Sequence, residues 1–315
     1  MLTFGPVPSR RFGRSLGVNN IPPKRCSYSC VYCQLGPTRA MRIRRRPYLP
    51  VQELVRAVEE RVASCRARGE PIDYLTWVPD GEPTLDLLLG PTIRALKPMG
   101  IPVAVITNGS LLWRPEVRED LAEADVVSVK VDTTHLPTWH RINRPTRQLR
   151  LPAILRGLDV FARSFSGETW TETMLVEGIN DDAARVGQVA SFLEGIAPDR
   201  AYLAVPTRPP AVPGVRSPSA QAIAEAYWTF RQRLPRVELL VHPEEGTFGH
   251  GGDPTADLLA ILAVHPMPEE EARQYLTEAG TDPAALDELL ADRRISGVGY
   301  RGRRFVVGRN GVPRQ

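Results

Sequence analysis

The sequence predicts an α/β protein: a partial (β/α)6-type TIM barrel joined to a small C-terminal winged-helix-like domain. Three observations predict it. Between residues 50 and 245 short apolar runs alternate with helix-period patterns, the signature of βαβ units around a parallel sheet. A glycine-rich break, Gly246-Thr247-Phe248-Gly249-His250-Gly251-Gly252, ends that alternation. Beyond it come three short helical patterns and a turn-linked pair of β runs.

The elements follow in order. A first strand is expected at 16–19. Residues 51–68 carry Leu54, Val55, Val58, Val62 and Cys65 at helical period. A strand at 74–78 is closed by Pro79-Asp80-Gly81, and 85–99 reads as helix. The strand at 102–106 runs into Thr107-Asn108-Gly109, a turn signal. Helix 115–123, strand 126–131, helix 151–165, strand 169–176, helix 182–193, strand 201–205, helix 219–233 and strand 237–241 complete the alternation. Six or more such units suit a barrel, whose active site lies at the C-terminal strand ends. Helices are expected at 254–263, 268–279 and 283–292, each with Pro near its start, and Gly280 suits a helix end. Runs at 295–299 and 303–307 flank Tyr300-Arg301-Gly302 as a hairpin. The expected division is a barrel at 1–246, a linker at 247–253, the winged-helix-like domain at 254–309 and a tail at 310–315.

Composition excludes several classes. At 315 residues, 42% hydrophobic and 24% charged, the chain is of ordinary globular type rather than disordered or fibrous. No apolar run approaches the ~18 residues of a membrane span, and the N-terminus lacks a signal peptide's charged start and apolar stretch. A cytoplasmic protein with no membrane partner is expected. The net charge of +4 is uneven: residues 1–50 hold ten Arg or Lys and no acid. Such a block either attracts an anion, an acidic protein or a nucleic acid, or is a solvated face answered by acids from later in the chain.

Three of the four cysteines fall in Cys26-Ser27-Tyr28-Ser29-Cys30-Val31-Tyr32-Cys33, a C-x3-C-x2-C spacing unlike a disulfide framework. Three thiolates on one loop suit three irons of a cubane cluster, leaving the fourth iron open to a ligand. A zinc site completed by a distant His is the alternative, but no His precedes His135. Cys65 occupies a core-like helical position, so a second cluster lacks thiolates.

This loop, with Tyr32 just before its last Cys, resembles the radical SAM superfamily. So, in order, do Asp80-Gly81-Glu82-Pro83-Thr84-Leu85, Ile106-Thr107-Asn108-Gly109, Ser128-Val129-Lys130-Val131-Asp132 and the segment from Glu172 to Asp181. The resemblance spans 1–245. Asp80 stands where the family's Gly-Gly-Glu motif has its first Gly. Gly5-Pro6-Val7-Pro8-Ser9-Arg10-Arg11 and Arg141-Ile142-Asn143-Arg144-Pro145 resemble a bacterial subgroup related to the wyosine-base-forming enzymes. The resemblance implies one 4Fe–4S cluster on Cys26, Cys30 and Cys33. It implies reductive cleavage of S-adenosyl-L-methionine to methionine and a 5′-deoxyadenosyl radical, which takes hydrogen from a substrate. It further implies that Tyr32, Gly81, Glu82, Pro83, Asn108, Ser128, Lys130 and Asp132 meet the cofactor. No side chain is assigned to the substrate's chemistry itself.

The residues allow other roles too. Strand alternation puts Ser128, Lys130 and Asp132 on one face, lining a liganded lumen or filling it with a Lys130–Asp132 ion pair. Glu82 also suits a helix N-terminus, and Asn108 a turn. Among Arg39, Arg42, Arg44, Arg45 and Arg46, the readings are RNA phosphate contact, docking of an electron donor such as flavodoxin or ferredoxin, and binding a phosphorylated small substrate. Arg39, Arg44, Arg45 and Arg208 are the substrate candidates. Trp139, His140 and His242 are open between substrate contact and structure. The basic hairpin with Arg301, Arg303, Arg304 and Arg309 suits nucleic acid or protein. A non-catalytic iron–sulfur sensor that binds nucleic acid through this domain is the rival reading.

Overall fold

The computed structural model describes residues 2–38, 40–242, 248–249 and 253–308. Its centre is an open eight-stranded sheet in which each strand pairs with its chain neighbour. β1 (Thr3–Ser9) runs antiparallel to β2 (Gly13–Val18). Parallel strands β3 (Tyr74–Trp77), β4 (Val103–Thr107), β5 (Val126–Lys130), β6 (Glu168–Met174), β7 (Arg200–Ala204) and β8 (Val237–Leu240) follow. Helices α1 (Val51–Ala67), α2 (Leu89–Leu96), α3 (Pro115–Leu121), α4 (Leu136–Ile142), α5 (Leu151–Ser164), α6 (Ala183–Ile196) and α7 (Ala220–Arg231) connect them. This is the expected half-barrel.

Two differences matter. The strand expected at 16–19 is the second strand; β1 precedes it. Prolines at Pro6 and Pro8 hide β1 in the sequence, yet an edge strand tolerates them because one side of its ladder is unpaired. The helix expected at 85–99 is broken: a 3-10 turn spans Pro83–Leu85, α2 spans Leu89–Leu96, and a second 3-10 turn spans Lys97–Met99. Pro98 cannot sit inside an α-helix, and Asp86 caps Leu88 N–H at 3.0 Å.

Alternation along the strands separates two cores. Val103, Val105, Val127, Val129 and Leu203 pack outward against the helices. Ala104, Val126, Trp170, Tyr202 and Leu240 point inward. The β1–β2 turn curls beneath the barrel and closes its floor. There Phe12 stacks on Trp170 at 5.0 Å and meets Tyr74 edge-on at 5.3 Å.

The C-terminal unit contains α8 (Pro254–Val264), β9 (Met267–Pro268), α9 (Glu269–Glu278), α10 (Ala285–Ala291), β10 (Ile295–Tyr300) and β11 (Arg303–Gly308). Its three strands pair in the order β10-β11-β9. β9, two residues long, carries no legible strand pattern. This unit shares a core with the barrel: Phe4 and Val7 of β1 are buried with Leu258, Ile261, Leu262 and Tyr275. Of the expected linker at 247–253, Phe248, Gly249 and Asp253 are described; the rest of it, Arg309 and the tail at 310–315 lie outside the described residues. No helix among the described residues is long and apolar enough to cross a membrane.

Candidate functional site

The Cys loop leaves β2 and crosses the C-terminal strand ends. Backbone hydrogen bonds clamp it to the C-terminal end of α4: Ser29 N–H donates to Asn143 C=O at 3.0 Å and Val31 N–H to Ile142 C=O at 2.9 Å. Trp139 Nε1 donates to Tyr28 Oη at 3.2 Å, so Trp139 is a buried prop on α4 rather than a substrate contact. This is the work of the Arg141-Ile142-Asn143-Arg144-Pro145 segment.

A cavity of ≈ 270 Å³ opens beneath the loop, lined by Cys26, Cys30, Tyr32, Cys33, Gly81, Glu82, Asn108 and Lys130 among others. The three thiols are free, and each has a side-chain N–H donor from a different residue. Asn108 Nδ2 lies 3.4 Å from Cys26 Sγ, Asn143 Nδ2 3.5 Å from Cys30 Sγ, and Lys24 Nζ 3.5 Å from Cys33 Sγ. Burial, then the nearby Glu82 charge, pushes the Cys26 thiol up to about 12. Cys30 is raised too, by burial and then Asp132.

The turn after β3 is set by close backbone approach. Glu82 N–H donates to Arg25 C=O at 2.9 Å. A Cβ on Gly81 would stand 1.9 Å from that same Arg25 oxygen, so only glycine fits. Buried Glu82 caps the 3-10 turn through Thr84 N–H at 3.1 Å and accepts Thr107 Oγ1 at 2.6 Å. Its other oxygen accepts Asn108 N–H at 2.8 Å. It thus joins the ends of β3 and β4 while still lining the cavity. Burial raises its pKa, partly offset by the Thr107 and Thr84 hydroxyls. Pro83 opens the turn and is buried away from the cavity, its carbonyl accepting Asn20 Nδ2 at 3.2 Å.

The alternative reading of a Lys130–Asp132 ion pair is not what the strand end shows. Strand register sets Lys130 beside Glu172, and the two make an ion pair. β5 ends at Lys130, so alternation no longer governs Asp132. Its carboxylate turns out of the cavity and accepts Tyr32 Oη, Asn143 Nδ2 at 2.6 Å and Met174 N–H at 3.0 Å. Lys130 Nζ lies 5.3 Å from the Tyr32 ring centre. Burial lowers the Lys130 pKa, but Glu172 and then Asp132 outweigh it and the net shift is upward.

Arg11, which only the subgroup resemblance had touched, reaches up from the floor. Its guanidinium donates to Glu172 at 2.6 Å and to Ser128 Oγ at 3.3 Å; Ser128 is buried and does not line the cavity. No local signal marks Arg11, because its reach depends on the hairpin curling under the sheet.

The Arg candidates divide. Arg45 is a structural residue: buried, it donates to Thr84 C=O at 2.8 Å and Asp86 C=O at 2.7 Å and pairs with Asp120. Arg44 is exposed and off the cavity, and Arg39 lies outside the described residues. Arg208 lines the cavity, donating to Gln34 Oε1 at 3.2 Å and meeting His265 Nε2 at 2.7 Å. Gln34 Nε2 donates to Val264 C=O at 2.8 Å, so the end of α8 walls the cavity. The hairpin's Arg303 and Arg304 pair with Glu269, Glu270 and Glu271.

Comparison with known proteins gives a consistent picture. The family model described as the radical SAM superfamily matches residues 20–186. A UPF0026 protein of Methanocaldococcus jannaschii is 38% identical over 97% of this chain and 95% of its own length. A UPF0026 protein of Helicobacter pylori (strain J99) is 35% identical over 94% of each. Among solved structures, a radical SAM methyltransferase from Sphaerobacter thermophilus superposes with a TM-score of 0.55 at 18% identity, over 72% of this chain and 66% of that one. Streptococcus suis SuiB bound to S-adenosylmethionine superposes with a TM-score of 0.51 at 13% identity, over 72% and 49%. At those identities the structures speak for the fold alone.

Proposed function

Because the chain belongs to the radical SAM superfamily, we propose that it binds one 4Fe–4S cluster through Cys26, Cys30 and Cys33 and reductively cleaves S-adenosylmethionine beside it. One observation carries this reading: three free thiols and the Gly81-Glu82 turn share one cavity at the C-terminal strand ends. The donor set fits the group. Three thiolates and a cavity suit a cubane with one open iron. When bound, the cluster and cofactor supply a 5′-deoxyadenosyl radical that takes a hydrogen atom from substrate.

The chain's own residues then have definite tasks. Glu82 Oε2 accepts the single N–H of Asn108 and keeps room for an amine of the cofactor. Tyr32, held by its hydroxyl on Asp132, offers a fixed face to an aromatic base. Asp132 acts through Tyr32 and Asn143 rather than by touching the ligand. Lys130 and Arg11, gathered on Glu172, orient a polar group at the lumen's depth. Phe12, Trp170 and Tyr202 exclude water from below. For the electron donor, a small acidic carrier such as flavodoxin or ferredoxin is favoured over RNA. The exposed Arg42, Arg44 and Arg46 lie beside the loop, with Arg42 N–H on Cys26 C=O at 2.9 Å, whereas the hairpin's Arg303 and Arg304 are already answered by acids.

The test is anaerobic reconstitution with iron and sulfide, then incubation with dithionite and S-adenosylmethionine. Methionine and 5′-deoxyadenosine are expected by mass spectrometry, and Cys30→Ala should give neither. A loaded protein that yields neither product refutes the reading.

A further inference from the structure

We propose that Lys24 sets the reduction potential of the cluster, as a cationic donor to a ligand sulfur where, among the described residues, Asn108 and Asn143 offer the other two sulfurs neutral amides. The inference rests on the cluster reading above. Asn108 and Asn143 bring neutral amides to Cys26 and Cys30, while Cys33 receives the Lys24 ammonium. Nζ is fixed by a second bond, to Gly36 C=O at 2.6 Å.

The backbone supplies an independent sign. Lys24 has φ of +57°, a left-handed conformation that costs a β-carbon-bearing residue free energy and that glycine adopts freely. The backbone of the turn does not require a side chain, since Lys24 N–H donates to Asp80 C=O at 2.7 Å, a bond glycine would make equally well; the side chain's own contacts are Gly36 C=O and Cys33 Sγ. Strain kept where glycine would serve points to a job for the ammonium. Asp80, which replaces the family's glycine, belongs to the same arrangement. Lys24 is the foremost charge stabilising its buried carboxylate, whose Oδ1 has no hydrogen-bond partner.

The physical consequence follows from charge. A cluster held by three thiolates is anionic when oxidised and more so when reduced. A fixed cation and an N–H···S bond stabilise the reduced form more, raising the potential. Lys24 thereby makes the cluster easier for a carrier to reduce.

The experiment uses full-length protein, reconstituted anaerobically, with the midpoint potential read by EPR-monitored redox titration. Lys24→Gly removes the ammonium and suits φ of +57°. Its reduced-to-oxidised ratio at a given potential should fall about tenfold, ~59 mV more negative for a one-electron couple. Lys24→Arg should stay near the wild type, and Lys24→Gln, keeping an N–H but not the charge, should fall between. Lys24→Gly with full iron content and an unshifted potential overturns the proposal, as does Lys24→Arg shifting as far as Lys24→Gly. If Lys24→Gly does not retain iron, the Lys24→Gln potential decides, and a wild-type value overturns it. Wild-type protein that assembles no cluster refutes the functional reading instead.

Discussion

Arg45 shows how a single residue's surroundings decide its role. Its guanidinium is buried, with two backbone carbonyls and Asp120 as partners. Removing one member of a buried pair costs about 3–5 kcal/mol. Arg45→Ala should therefore lower the melting temperature sharply, whereas Arg44→Ala, at an exposed site, should leave it unchanged. Gly81 is the opposite case, where any side chain is too much. Gly81→Ala forces its Cβ onto Arg25 C=O and should cost about 1–3 kcal/mol in thermal melts while lowering iron retention on reconstitution. Asp80 gives a pH dependence in the cluster-free protein. Burial raises its pKa from 3.8 to about 6, Lys24 only partly opposing this. A carboxyl raised in the folded state favours folding most below pH 3.8, and that advantage is lost as pH rises to about 6. Between those two values the advantage amounts to about 3 kcal/mol. Asp80→Asn should be relatively more stable than the wild type at pH 7 than at pH 4; equal differences at the two pH values refute this.

Among elements, the β1–β2 hairpin does two jobs that its sequence conceals. Its turn plugs the floor with Phe12 and sends Arg11 upward to Glu172 and Ser128. Truncating a fully buried aromatic costs about 3–5 kcal/mol. Phe12→Ala should destabilise by that order in denaturant melts, and should raise fluorescence quenching of Trp170 by acrylamide as water enters. α4 is the other overlooked element. It has seven residues and opens with Pro137 at its second position. The sequence pattern assigns it no helix, although it closes with the buried Trp139 and Ile142. Its purpose lies in its end, where Asn143 meets both Cys30 and Asp132.

At the scale of the whole molecule, the C-terminal unit packs directly against the barrel. Phe4 and Val7 are buried in the core it shares with β1, Arg61 pairs with Asp257 at 3.2 Å, and Tyr300 Oη donates to Pro206 C=O at 3.0 Å. Exposing Phe4 and Val7 alone would cost about 3–6 kcal/mol. A chain ending at residue 252 should melt lower and elute as aggregate in size-exclusion chromatography, while a monomeric barrel with unchanged melting would show the two units to be independent.

What the sequence determined by itself was whatever is encoded within a few residues. Helix and strand periods revealed the barrel, three cysteines within eight positions marked the centre, and Gly81 and Asn108 flagged the turns that bear on it. Tertiary structure decided which distant groups meet. Asn108 bonds Cys26 across 82 positions and Asn143 bonds Cys30 across 113. Arg45 finds Asp120 across 75, so an apparently free basic cluster is partly structural. Asp132 left its predicted face because the strand stops two residues earlier. The reason is common to all of these. Local periodicity constrains a residue's own φ and ψ, whereas the partner of a buried charge or a sulfur is set by strand order and register, which no short window contains.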